Sequence, residues 1–176
     1  MIGVHELAIY LLGAANTFYP QSNHNFMEPK SITEARYHQL AEDIAEVSLD
    51  PKVAPLFSGE DGRVKTGLLL VSLAYYESMF ISDVMTCKKL GDHGQAFGPY
   101  QTHRSPDTTC QGTVQASLVA LDMIRESFQV CHSLKLEDRL SEYTDGNNWQ
   151  SKSAHSRSEN RMHTAMYYFN HHPITK

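Results

Sequence analysis

The most apolar stretch of the chain runs Leu68-Leu69-Leu70-Val71-Ser72-Leu73-Ala74-Tyr75-Tyr76, and a single carboxylate, Glu77, closes it. The pattern predicts a helix from about Val64 to Phe80. In it Leu70, Leu73 and Ala74 share a face with Glu77, because residues three and four apart stack on one side of a helix. Other segments show weaker versions of the same period. Residues 2 to 16 read as a short helix, with Ile2, Leu7, Ile9, Leu11 and Leu12 as its apolar surface. Ser31 with Glu34 three positions on forms a capping box. It predicts a helix to about Ser48 bearing Tyr37, Leu40, Ile44 and Val47, which Asp50-Pro51 ends. Gly112 to His132 repeats Val114, Leu118, Leu121, Ile124 and Phe128 at helical spacing. Leu134 to Glu142 predicts a shorter helix, and a last one from about Ser158 to Asn170 presents Met162, Ala165, Met166 and Phe169.

Between these segments the pattern breaks. Phe18 to Pro29 and Pro55 to Gly62 read as a loop and a turn-rich link, Asp145 to Asn148 as a turn, and Ser151 to Ser158 as a polar, exposed connection. Residues 82 to 110 are the longest interruption. Gly91, Gly94, Gly98, Pro99 and Pro106 exclude a regular helix there, while Phe97 and Tyr100 offer something to bury, so short β-strands are compatible with it. A long irregular stretch inside a compact domain is characteristically functional or disordered. The fold class is therefore mainly α (α+β), helical with a small irregular or β insert. The 176 residues, 41% of them hydrophobic, suffice for one core and one domain. Within it residues 1–60 carry no motif and residues 64–170 form the remainder.

A formal net charge of −5 argues against a nucleic-acid partner. Lys88, Lys89 and Arg104 still offer local contacts to an anionic ligand. The apolar patch Leu7 to Ala15 is too short to span a bilayer and has no basic flank, so neither a secretion signal nor a membrane anchor is expected. Ten histidines are scattered without metal-ligand spacing. His5-Glu6 opens like a zinc-protease motif, but Ile9 stands where the second histidine belongs. The histidines are read mostly as surface residues, and no metal or cofactor is expected. Cys87, Cys110 and Cys131 make an odd set without CxxC spacing, compatible with at most one bridge and a spare thiol.

Glu77 carries the candidate chemistry. A carboxylate at the end of an apolar stripe is partly desolvated; desolvation disfavours its charged form and lets it hold a proton, as a general acid must. The alternative is a glutamate that reaches solvent or pairs with an arginine or lysine.

Glu77-Ser78, followed by Gly91-Asp92-His93-Gly94-Gln95-Ala96-Phe97-Gly98-Pro99-Tyr100-Gln101, resembles the goose-type lysozyme and lytic transglycosylase superfamily. There a Glu-Ser pair closes a helix and a segment G-D-x-G-x-x-F-G-x-x-Q follows. A third element of that family, A-Y-N-x-G, is represented by Glu142-Tyr143-Thr144-Asp145-Gly146, with Glu142 and Thr144 departing from it. The resemblance covers about Val64 to Phe169. It implies a lysozyme-like fold and cleavage of the peptidoglycan glycan strand between N-acetylmuramic acid and N-acetylglucosamine.

The resemblance also implies site roles. Glu77 would be the acid. Asp92 matches the first of the acids that goose-type enzymes use to position water, and His103 stands where those enzymes have the second. Hydrolysis therefore stays open against the transglycosylase course, in which the sugar's own 6-hydroxyl attacks; Asp83 is a fallback base. Gly94 and Gly98 either shape turns or let backbone approach a sugar. Ser78, Tyr100 and His103 join them as candidate substrate contacts. Gln101 is equally suited to holding the insert's backbone or an N-acetyl group, and Tyr143 to holding Glu77 or stacking on a sugar. The expected partner is peptidoglycan. A phage virion or lysis setting, with other virion proteins as neighbours, would bring such a protein to the wall. Two alternatives differ in kind: a cysteine peptidase using Cys87 or Cys110 with a histidine, and a non-catalytic structural or glycan-binding protein of the same fold.

Overall fold

The structure, a computed structural model, describes residues 2–24 and 28–174. Of the predicted loop from Phe18 to Pro29, Asn25, Phe26 and Met27 lie outside the described residues. The chain is mainly helical: α1 (Val4–Phe18), α2 (Lys30–Leu49), α3 (Gly62–Ser78), α4 (Ser82–Met85), α5 (Pro106–Thr109), α6 (Thr113–Val130), α7 (Ser141–Asp145) and α8 (Lys152–His171), with short 3-10 turns between them. No helix among the described residues is long and apolar enough to cross a membrane.

Helix α3 is the axis of the molecule. Leu68, Leu69, Leu70, Val71, Ser72, Leu73 and Ala74 are all fully buried, so the helix has no solvent face along these two turns. Each such apolar side chain contributes about 1.5–3 kcal/mol relative to exposure. Helices α1, α2 and α8 enclose it. The packing is close at Gly67, where an added Cβ would stand 3.1 Å from Ser48 Oγ and 3.2 Å from Leu11 Cδ1. Ser72, the polar residue of the stretch, donates its hydroxyl to the Arg161 carbonyl on α8 at 2.8 Å, which meets the requirement that a buried hydroxyl be paired.

Helix α3 ends in a constrained turn. Met79 and Phe80 both adopt left-handed backbone conformations (φ 49° and 54°), which cost energy in residues with a Cβ. Three contacts hold the turn. Ser78 Oγ donates to the Ala74 carbonyl (2.7 Å), Phe80 is fully buried edge-on against Tyr37 with ring centres 5.1 Å apart, and Arg36 Nε donates to the Phe80 carbonyl at 2.8 Å. Tyr37 and Arg36 belong to α2, so the N-terminal part without a motif buttresses the residues just after Glu77.

Several sequence expectations are corrected. Helix α2 opens at Lys30 behind Pro29, with no side-chain cap. Ser31 is already helical, and Glu34 pairs instead with Lys30 at 3.4 Å. The helix expected over Leu134 to Glu142 is a 3-10 turn (Leu136–Asp138) followed by the separate α7. The segment Ser151 to Ser158 is not an exposed connection: α8 begins at Lys152, Ser151 Oγ accepts from the Ala154 amide, and Ala154 and Ser158 are fully buried. The insert forms no strand among the described residues, only isolated antiparallel bridges, Gly91 to Ala96 and Phe97 to Thr102. His24, expected at the surface like its fellows, is fully buried with Nε2 3.2 Å from the Tyr37 hydroxyl.

Candidate functional site

Glu77 leaves the last turn of α3 with its side chain 19% exposed. It is not isolated. Arg161 of α8, itself 9% exposed in its side chain, donates Nε (3.0 Å) and Nη2 (2.7 Å) to the same oxygen, Oε1. The guanidinium is fixed in turn by the Arg157 carbonyl (3.0 Å) and lies 5.1 Å from the centre of the Tyr76 ring. Tyr76 reaches Thr164 Oγ1 of α8 at 3.0 Å. Of the readings left open for Glu77, pairing with an arginine is the one its contacts display, and the partner is Arg161. Arg161 continues the buried face of α8 formed by Ala154, Ser158, Ala165 and Tyr168. An arginine at helical register within such a stripe was the available signal.

Tyr143 joins three separate segments. Its hydroxyl donates to the Tyr100 carbonyl at 2.9 Å, and its amide donates to Ser127 Oγ of α6 at 3.0 Å. Burial, and then the nearby Glu77 charge, hold its hydroxyl well above the ordinary tyrosine pKa, so it remains a donor. The insert and the Glu142–Gly146 element, far apart in sequence, therefore meet at one phenol, on which the charge of Glu77 also acts. Within the last element, Asp145 is fixed by Arg157 (2.6 Å) and by Ser151 Oγ (3.0 Å).

The insert is two successive tight turns. Gly91 and Ala96 exchange backbone bonds at 3.0 and 3.1 Å, and Phe97 and Thr102 do the same at 3.0 and 3.1 Å. Gln101 Nε2 donates to the Gly98 carbonyl (2.8 Å), while its Oε1 fills the space a Gly91 side chain would need. Of the two roles open to Gln101, holding the insert is the one its contacts display. Gly98 (φ 68°) is buried, and a Cβ there would stand 3.1 Å from Thr109 Cγ2; packing, not an open approach to a sugar, accounts for it. Gly94 (φ 91°) faces open space. Tyr100 is buried with its hydroxyl 2.7 Å from Ser117 Oγ, and Ser78 is buried in the α3 turn. These two are anchors rather than surfaces a ligand can touch. Asp92 and His103 are exposed and paired, Asp92 Oδ2 lying 3.3 Å from His103 Nε2. Asp83 is exposed on α4.

Cys87 and Cys110 are joined in a disulfide, and Cys131 is a fully buried thiol. No cysteine is a free, accessible nucleophile, which removes the basis for the peptidase alternative. Among the described residues no three His, Cys, Asp or Glu side chains are grouped as a metal site would require. A further carboxylate was missed: Glu142 is half-buried, and burial and the Glu126 charge push its pKa up while Arg104 pulls it back. Arg104 itself pairs with Glu126. Two surface cavities, of about 320 and 440 Å³, lie elsewhere, one against Lys52, Asp122 and Arg125, the other between Arg36, Met85 and the start of α6. Comparison of the chain with protein-family models, with curated proteins and with solved structures finds no match.

Proposed function

We propose that this protein cleaves the glycan strand of peptidoglycan between N-acetylmuramic acid and N-acetylglucosamine, with Glu77 as the general acid. One observation carries the reading: two of the three segments that resemble the lysozyme-like superfamily are bonded through Tyr143, whose hydroxyl donates to the Tyr100 carbonyl at 2.9 Å, and the charge of the third, Glu77, acts on that hydroxyl. In this reading both arginine bonds fall on Oε1, so Oε2 is the oxygen that presents the proton to the leaving glycosidic oxygen. The bond from the anomeric carbon breaks, its electron pair stays on that oxygen, and the proton of Glu77 completes the new hydroxyl, while water or the sugar's own 6-hydroxyl bonds the anomeric carbon and gives up its proton. Arg161 faces the negative charge that Glu77 then acquires. The strained, buttressed turn at Met79 and Phe80 keeps the carboxylate in place without reorganisation.

A second reading is favoured by the same ion pair. A glutamate at a helix end held by a buried arginine is also what a structural residue looks like, and a glycan-binding protein of this fold would keep it. Mass spectrometry of material released from purified peptidoglycan separates the two. Cleavage releases disaccharide-peptide fragments; a binding protein sediments with the wall and releases none, and that outcome would end the enzymatic reading.

A further inference from the structure

We infer that the bridge between Cys87 and Cys110 is a thiol–disulfide exchange site, at which a dithiol reductant releases the insert and an oxidant fastens it again. The bridge chemistry stands by itself; its consequence for activity rests on the proposed glycan cleavage.

The bridge can be reached. Both of its cysteines are half-buried, whereas Cys131 is fully buried. Cys110 also lines the surface cavity of about 440 Å³, together with Met85, Thr86, Gln111 and Gly112. Cys87 Sγ lies instead against the insert, 3.9 Å from where a Gly98 Cβ would stand. A thiolate entering the cavity therefore meets Cys110 first. Lys88 and Lys89, both exposed, follow Cys87 directly. Cations beside a sulfur favour its thiolate form, which suits Cys87 to be the leaving sulfur. Exposed bridges are the labile ones; buried bridges resist exchange.

The bridge also closes round a segment that has little else to order it. Cys87 follows α4, and Cys110 ends α5 with its amide on the Pro106 carbonyl at 2.9 Å. Between them the insert has two isolated bridges in place of strands. Cys87 is held in a left-handed conformation (φ 58°), which costs energy in a residue with a Cβ. Opening the bridge removes a constraint that keeps it there. Thr109, next to Cys110, is buried, packs on Gly98 and has its hydroxyl 3.3 Å from that of Thr102. Freeing Cys110 thus loosens the second turn of the insert. The buried apolar cluster around α3 contains neither cysteine, so it persists when the bridge opens.

In the step itself, the thiolate of the dithiol bonds Cys110 Sγ. The S–S bond breaks, its electron pair leaves on Cys87 Sγ, and that sulfur takes a proton. The second thiol of the reductant loses its proton and bonds the first, which releases Cys110 as a thiolate that is protonated in turn. The two cysteines gain two electrons and two protons. The dithiol is oxidised to its disulfide, and an oxidant reverses the exchange.

The test exposes the intact protein to dithiothreitol under native conditions, quenches in acid, then alkylates the denatured chain and measures its mass. Free thiols are expected to rise from one to three while far-ultraviolet helicity persists. Hydrogen exchange should rise in residues 88–109 and stay unchanged in residues 68–74. Release of soluble fragments from purified peptidoglycan should be lost on reduction and return on reoxidation. Single variants identify the attacked sulfur: the thiol left in Cys87→Ser should react with an aromatic disulfide faster than the thiol left in Cys110→Ser. A bridge that resists dithiothreitol until the helices melt would overturn the site. So would reduction without added exchange in the insert, faster reaction in Cys110→Ser, or undiminished fragment release by the reduced protein. Thiol counts and exchange as expected, with no fragment released in either state, would uphold the exchange site and remove the proposed cleavage.

Discussion

At the scale of residues, the chemistry is set by pairings that cross large sequence distances. Glu77 and Arg161 are 84 positions apart, and Tyr143 and Tyr100 are 43 apart. Removing the phenolic oxygen with Tyr143→Phe deletes the bond to the Tyr100 carbonyl and is expected to cost about 1 kcal/mol of stability. Chemical denaturation of the two proteins measures it. An unchanged midpoint would mean that the phenol does not hold the insert.

His24 gives a residue-scale dependence on pH. Burial, and then the charge of Arg36, hold its pKa below the ordinary 6.5, with Glu28 acting the other way. Above pH 6.5 the imidazole is neutral in both the folded and the unfolded chain. As pH falls below 6.5 the unfolded chain takes up a proton that the folded one resists, so the stability contributed by His24 is lost through that interval. The slope is at most about 1.4 kcal/mol per pH unit. Melting temperatures between pH 7.5 and 5.5 are expected to fall, and His24→Gln is expected to flatten this part of the decline. An equal decline in the variant would assign the effect to other groups.

At the scale of elements, the insert is the piece whose order is most exposed to perturbation. It has no sheet to belong to and is held by two bridges, by Gln101, by Tyr143 and by the disulfide between Cys87 and Cys110, which closes a loop of sequence separation 23 around it. A crosslink of that span contributes roughly 3 kcal/mol in the chain-entropy account. Cys87→Ser with Cys110→Ser is expected to lower the melting temperature and wall-digesting activity while far-ultraviolet helicity persists, because α3 and its neighbours do not depend on the bridge. Activity unchanged in the double variant would show that the insert is ordered without it.

The same scale shows what was legible in the chain. Helices α3 and α6 could be read to within about two residues, α3 because its central turns are an unbroken apolar run and α6 because its buried face carries Ala116, Ala120, Leu121 and Ile124 at helical spacing. The capping box at Ser31 misled because Pro29 already starts the helix, which leaves Ser31 inside the first turn with no role as a cap. The start of α8 was hidden because its inward face is built from Ala154, Ser158 and Arg161, small or polar residues that hydropathy assigns to solvent. Glu77, the insert and Tyr143 could be singled out in the chain as candidates. It was not legible that Tyr100, Ser78 and Gly98 serve packing, since burial of a motif residue is decided by partners such as Ser117 and Thr109 that no local pattern names.

At the scale of the whole molecule, one buried helix ends in a carboxylate, and other helices contact that end or the segments beside it. Helix α2 holds the turn after Glu77 through Arg36 and Tyr37, α8 supplies the arginine, and α6 supports both Tyr100 and Tyr143. Helices α1 and α2, from the part of the chain that carries no motif, pack against the axis. The account's central claim is that this geometry exists to deliver a proton from Glu77. The most direct measurement compares the rate of soluble fragment release from purified peptidoglycan by the wild-type protein and by Glu77→Gln, which retains shape but not the acidic proton, with both proteins matched for folding by circular dichroism. The account predicts a loss of about 10²–10⁴-fold in the variant. A folded Glu77→Gln protein that cuts the wall at the wild-type rate would contradict it.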